Sequence, residues 1–135
     1  MGIKTDRLNK SFTAFIQKQP VFFVASAAPV GRVNMSPKGL DALRIVSDTR
    51  IVWLNVTGSG NETAAHVRQD PRMTLMFCAF EGPPKIVRIH GRGDIILPTD
   101  PEFAQLSPLF PSHAGARAII RVKATRISDS CGFTV

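Results

Sequence analysis

The chain reads as a mainly β protein: a small barrel or sandwich of about six strands with short flanking helices. Three observations predict this. Short apolar runs rich in Val, Ile and Phe recur along the sequence, most of them a tight turn apart. Glycine and proline punctuate them, as in Ala28-Pro29-Val30-Gly31 and Gly82-Pro83-Pro84. The strands do not alternate with long helical patterns, as a doubly wound sheet would require. At 135 residues, with no internal repeat, the chain suits a single domain over residues 1–135.

In order, Asp6 to Gln19 is predicted to be helical. Leu8, Phe12, Phe15 and Ile16 recur at helical spacing and Pro20 ends the run. Val21 to Ser26 is an unbroken apolar strand. After the Ala28–Gly31 turn, Arg32 to Ser36 alternates as the second arm of a hairpin, which Pro37 is expected to stop. Val33 and Met35 face one way; Arg32, Asn34 and Ser36 face the other. Arg50 to Val56 is a third strand. A glycine-rich stretch, Gly58-Ser59-Gly60, leads into a short helix over Ala64 to Arg68, closed by Asp70-Pro71.

Arg72 to Phe80 is apolar on both faces, as a central strand would be. Lys85 to Leu97 is a long strand with Gly91 and Gly93 as bends; Val87 and Ile89 share one face, and Arg88, His90 and Arg92 the other. Asp100 to Leu106 forms a helical turn or two. Ala116 to Ser128 closes the sheet, burying Ile120, Val122 and Ala124 and exposing Arg121 and Lys123.

Composition narrows the function classes. The hydrophobic fraction of 44% and the lack of low-complexity tracts imply an ordered globular fold. No window approaches a membrane-spanning apolar run, and the N-terminus lacks the apolar core of a signal peptide, so a cytoplasmic location is expected. Cys78 and Cys131 are too few for a disulfide framework. The net charge of +7 suits nucleic acid or a small anion. The basic residues are scattered and the chain has no tyrosine, which argues against a stacking platform for nucleic acid.

Two constellations could carry chemistry. Asn61-Glu62-Thr63 opens a helix, where unpaired N–H groups attract anions. Alternatively, Ser59, Asn61 or Thr63 simply caps that helix, with Glu62 favoured in its first turn. On the second strand, Arg32, Asn34 and Ser36, with Lys38 just beyond, could meet a phosphate and a heterocycle or form an ordinary solvated face. His66, His90 and His113 have no metal-ligand spacing, and no nucleophile stands out.

Three segments taken in order, FFVASAAPVGRVNMSPKG, GSGNETAAHVRQDPRMTLMFCAF and GPPKIVRIHGRGDII, resemble the pyridoxamine 5'-phosphate oxidase-like family of FMN-binding split barrels. The resemblance extends faintly to RISDSCGF, and the chain's end just after it suggests a shortened C-terminal tail. It implies a six-stranded split β-barrel that pairs into a homodimer, with FMN in the groove between subunits. By this resemblance the strand from Arg32 to Ser36 runs alongside the flavin and its ribityl phosphate. Asn61 to Thr63 falls where relatives hold the phosphate, and the strand around Ile86 to Arg88 reaches the flavin from the second subunit. Glu62 and Thr63 stand where many members carry an Arg-Lys pair, so the phosphate charge would fall to Lys38, Arg32 or Arg88 of the partner subunit. The implied cofactor-binding set is Arg32, Asn34, Ser36, Lys38, Asn61, Thr63 and Arg88.

The Arg-x-His element that grips pyridoxal phosphate in the true oxidase is missing, so vitamin B6 oxidation is not expected. The implied function is an FMN-dependent oxidoreductase of unassigned substrate and donor, with no side chain assigned as acid or base. The alternative is a non-catalytic or stress-related protein that binds flavin, deazaflavin or haem. No nucleic acid, membrane or metal partner is expected.

Overall fold

A computed structural model describes residues 2–39, 41–56, 58, 60–133 and 135. The elements run β1 (Lys4–Thr5), α1 (Lys10–Lys18), β2 (Phe22–Ala27), β3 (Val33–Lys38), β4 (Leu43–Ile45), β5 (Arg50–Val56), α2 (Gly60–Gln69), β6 (Arg72–Cys78), β7 (Lys85–Ile96), α3 (Pro101–Leu106) and β8 (Ala116–Cys131). The strands form one antiparallel sheet in the order β3-β2-β6-β7-β8-β5-β4, with β1 added on β8. It curls as a split barrel. Six strands carry the fold, and β1 and β4 are short additions of two and three residues.

Alternation along the strands builds the interior. Phe22 and Val24, Leu75 and Phe77, Val87 and Ile89, Ile51 and Trp53, and Ile120, Val122 and Ile127 all point inward and are buried. Phe22 stacks on Phe77 and meets Trp53 edge-on. Helix α1 adds Phe12 and Ile16 to this cluster, and α2 adds Val67. A second, smaller cluster of Val52, Ile96, Phe110 and Ile119 lies beneath Phe103 and Leu106 of the α3 region. A guanidinium clamp holds α3 there: Arg121 on β8 bonds Asp94 on β7 and also Glu102 on α3.

The ends of several elements differ from the sequence expectation, each for a local reason. Helix α1 begins at Lys10 rather than Asp6, because the Asn9 side chain caps it by accepting from the Phe12 N–H at 2.8 Å. Pro37 does not stop its strand: it pairs with Phe23 inside β3. An edge strand tolerates a proline where its missing N–H faces away from the ladder, and β3 is an edge. Helix α2 starts at Gly60, so Asn61 to Thr63 form its first turn rather than precede it. Ser59, the third candidate cap, lies outside the described residues. The expected bend at Gly91 is a β-bulge. His90 pairs with Arg126 and Gly91 with Ala124, leaving Thr125 as the extra residue.

Gly91 is required by close approach, since a Cβ there would stand 2.4 Å from the Lys123 carbonyl oxygen and 2.7 Å from Val122 Cγ1. Gly91→Ala is therefore expected to lower unfolding stability by ~1–3 kcal/mol, the usual cost of forcing atoms into a packed site. Urea denaturation checks this as a lower midpoint at unchanged slope.

Candidate functional site

The polar face of β3 points inward. Cross-strand register places Asn34 opposite Ser26 and Ser36 opposite Val24, on the core side of the sheet. Ser36 is 4% exposed, whereas Val33 and Met35 on the other face are 74% and 66% exposed. The solvated-face reading therefore fails for Asn34 and Ser36. In this strand the apolar residues are the ones that meet solvent.

The inward polar groups meet α2. Asn34 Nδ2 donates to Ser36 Oγ at 3.1 Å and to Thr63 Oγ1 at 3.3 Å. Thr63 is fully buried, and Ser26 Oγ lies 3.0 Å from His66 Nδ1 one helical turn further on. These contacts seat α2 on the β2–β3 hairpin. Beneath the start of the helix lies Asn55 of β5, 3% exposed, its Oδ1 buried with no hydrogen-bond partner among the described residues. A Cβ on Gly60 would come within 2.0 Å of that oxygen, so only glycine lets the helix begin so close to the Asn55 side chain.

Where β3, β5 and the N-terminus of α2 converge, a cavity of 230 Å³ opens. Lys38, Gly39, Asp41, Val56, Gly60 and Phe110 are among the residues that line it. Lys38 is half-buried, and burial holds its ammonium below the usual lysine range. Its charge and the N-terminal end of α2 at Gly60 border one small volume, an arrangement suited to a phosphate-sized anion. Asp41 is the one carboxylate among these six. Arg44 takes it bidentately at 2.9 and 3.0 Å and also donates to the Leu109 carbonyl at 2.8 Å, stacking over Phe110. Asp41 is thus offset, and the wall from Asp41 to Phe110 is tied together.

The residues expected from sequence fall into three groups. Asn34, Ser36 and Thr63 form the buried seam, and Lys38 lines the cavity beside it. Asn61 and Glu62 are exposed on the first turn, with the Asn61 N–H donating to the Gly58 carbonyl at 3.2 Å. Arg32, exposed just before β3, and Arg88 stand apart. Arg88 lies on the outward face of β7 and donates to Ser130 Oγ at 3.2 Å, so the single chain does not bring it to the cavity. Sequence reasoning missed Asn55, Ser26 and the pairing of His66. A signal existed for two of them: Asn55 is the one polar side chain in the run Ile51 to Val56, and His66 follows Thr63 by three positions, on the same helix face. Among the described residues no cluster of metal-ligating side chains occurs, and no helix is long and apolar enough to cross a membrane.

Comparison with known proteins gives a consistent outcome. A family model described as pyridoxamine 5'-phosphate oxidase matches residues 8–131. A pyridoxamine 5'-phosphate oxidase family protein, ustO of Aspergillus flavus, is 37% identical over 140 residues, covering 100% of this chain and 56% of the relative. The chain thus spans about half the length of that curated relative. Among solved structures, HupZ of Group A Streptococcus superposes with a TM-score of 0.71 at 18% identity, covering 89% of this chain and 91% of that one. A FAD-binding protein of Mesorhizobium loti gives 0.62 at 15% identity, covering 96% of each chain. General Stress Protein 26 of Bacillus anthracis gives 0.64 at 10% identity, covering 85% of this chain and 87% of that one. At these identities the structures establish the shared fold.

Thr63→Val keeps the shape of the buried residue and removes the acceptor that Asn34 uses. The expected loss is ~1 kcal/mol of stability, the usual worth of a buried neutral hydrogen bond. Hydrogen exchange should show α2 amides losing protection more than those of β7.

Proposed function

The chain belongs to the pyridoxamine 5'-phosphate oxidase family, and on that premise we propose that it is a flavoprotein that binds FMN and serves an oxidation–reduction reaction. The observation that carries the reading is half-buried Lys38 sharing a 230 Å³ cavity with the start of α2. That volume fits the phosphate end of the nucleotide and is too small for all of it, so the ring lies outside, along β3. When bound, the flavin supplies hydride or electron transfer. Lys38 and the first-turn amides of α2 hold the phosphate. Asn61 adds a neutral hydrogen bond at the cavity mouth. Glu62 points to solvent, away from the buried side of the helix, so its charge is screened from the ligand. Asn34, Ser36 and Thr63 act from behind, fixing the strand and helix between which the anion sits.

A homodimer follows from the same reading. Val30, Val33 and Met35, 88%, 74% and 66% exposed, put an apolar stripe on the β2–β3 turn and the edge strand. A second copy covering this stripe would complete the groove for the ring. It would also bring Arg88 of the partner subunit, which faces outward on β7, toward the flavin. The oxidoreductase reading leaves substrate and electron donor open.

Denaturing the purified protein and identifying what is released by mass tests the cofactor directly. FMN is expected. Release of no flavin, from a protein that also fails to bind added FMN, would overturn the reading. Lys38→Ala and Asn61→Ala should each weaken FMN binding by ~1–3 kcal/mol, read by fluorescence titration. Affinity should also fall at high pH. Burial lowers the Lys38 pKa in the free protein, a bound phosphate raises it, and binding is full only while the amine is charged. Titrations between about pH 7 and about pH 10 should show this decline, and Lys38→Ala should flatten it. For the dimer, Met35→Asp should convert the assembly to monomer by light scattering at micromolar concentration.

A further inference from the structure

Arg88, His90 and Arg92 share the outward face of β7, and none of them lines the cavity beside Lys38. At the far end of that face, Arg72 of β6 stands in register directly opposite Arg92 of β7. Like charges so placed repel, and an anion between them relieves the cost. Asp70 answers one of the two. Its carboxylate takes Arg72 Nε at 3.0 Å and Nη2 at 2.6 Å, and these bonds hold the Asp70 pKa at about 2. Arg92 also acts on Asp70 through space, but it makes no hydrogen bond or ion pair of its own among the described residues. One guanidinium of the facing pair is left without a hydrogen-bonded counter-charge.

The surroundings are those of a binding groove. A concavity of 530 Å³ runs across these strands, with Ala25, Ala27 and Val33 on one side and Thr74, His90 and Arg92 on the other. Ala25, Thr74 and His90 form one cross-strand row, and Arg72 and Arg92 the next. The bulge at Thr125 shapes the floor, where Thr125 Oγ1 donates to the His90 carbonyl at 3.1 Å. His90 Nδ1 is buried there with no partner among the described residues, an unmet polar atom in the groove wall.

We propose that this groove, which on the dimer reading the second copy seated on Val33 would wall, is a second ligand site, for a small organic carboxylate: Arg92 receives the carboxylate, and Ala25 and Ala27 cover its apolar body. A planar guanidinium matches a carboxylate bidentately, and the short apolar side chains opposite leave room for a ring or a branched chain. The site is separate from the phosphate cavity, because Lys38 and Gly60 line that cavity and neither lines this groove.

Calorimetric titration with benzoate, and with benzamide as its neutral counterpart, tests this on the purified protein. Benzoate should bind once per chain and benzamide at least about tenfold more weakly. Arg92→Gln should weaken benzoate about tenfold or more, Arg92→Lys should retain part of the affinity, and Arg117→Gln, an exposed control of equal charge change, should match the parent. Arg92→Gln should keep both its affinity for FMN and its assembly mass, which separates this site from the flavin reading. Equal binding of benzoate and benzamide, an unchanged benzoate affinity in Arg92→Gln, or a loss caused only by a change in assembly would overturn the proposal.

Discussion

The candidate site depends on one buried contact, the Asn34 amide of an edge strand donating to Thr63 in the first turn of a helix. Polar side chains that point toward the core must find partners there or remain unpaired at ~1–3 kcal/mol each. Asn34 and Ser36 solve this with each other and with α2, and Ser26 does the same with His66. The helix is thereby fixed across the split of the barrel, with its N-terminus over the cavity that Lys38 lines. Helix-dipole and ammonium attraction fall off within a few ångströms, so the two can act on one ligand only where strand and helix are held rigidly together.

Much of the fold was legible because barrel strands advertise themselves by alternation. Val87 and Ile89, and Ile120, Val122 and Ala124, bury as their period demands, and β5 runs from Arg50 to Val56 as read. What was not legible depends on neighbours that a sequence does not display. Pro37 is a strand stop by rule and a strand member in fact, because β3 is an edge, and edge position belongs to the sheet. Likewise the alternation of β3 was plain, but its sense was not. Hydrophobicity alone points Val33 and Met35 toward a core; register with Val24 and Ser26 points them away from it. The start of α2 was hidden because Gly60 is a poor helix residue, tolerated where Asn55 leaves no room for a Cβ.

The inverted strand also explains why the site residues separate into two sets. Asn34, Ser36 and Lys38 share the inward side of the sheet, while Arg88 lies on the outward side of β7. No movement short of refolding brings Arg88 through the sheet to the cavity in its own chain. Outward polar groups on β7 can serve an inward cavity only through a second molecule, and the apolar stripe of β3 is where a second molecule would find surface to bury.

Charge distribution follows the same logic. With 17 basic and 10 acidic side chains, a net charge of +7 remains that no carboxylate of the chain can neutralise. The carboxylates are spent where geometry requires them: Asp94 and Glu102 lock Arg121 and α3, Asp41 anchors Arg44 in the cavity wall, Asp129 holds Lys85, and Asp70 holds Arg72. A surplus spread over exposed residues would be screened by salt and carry little consequence. Half-buried Lys38 lies beside a helix N-terminus, and Arg92, though exposed, lines a concavity opposite another arginine. Scattered in sequence, the basic residues looked like a general field. Folding draws some of them into ties across the barrel and sets others, among them Lys38 and Arg92, along the walls of concavities.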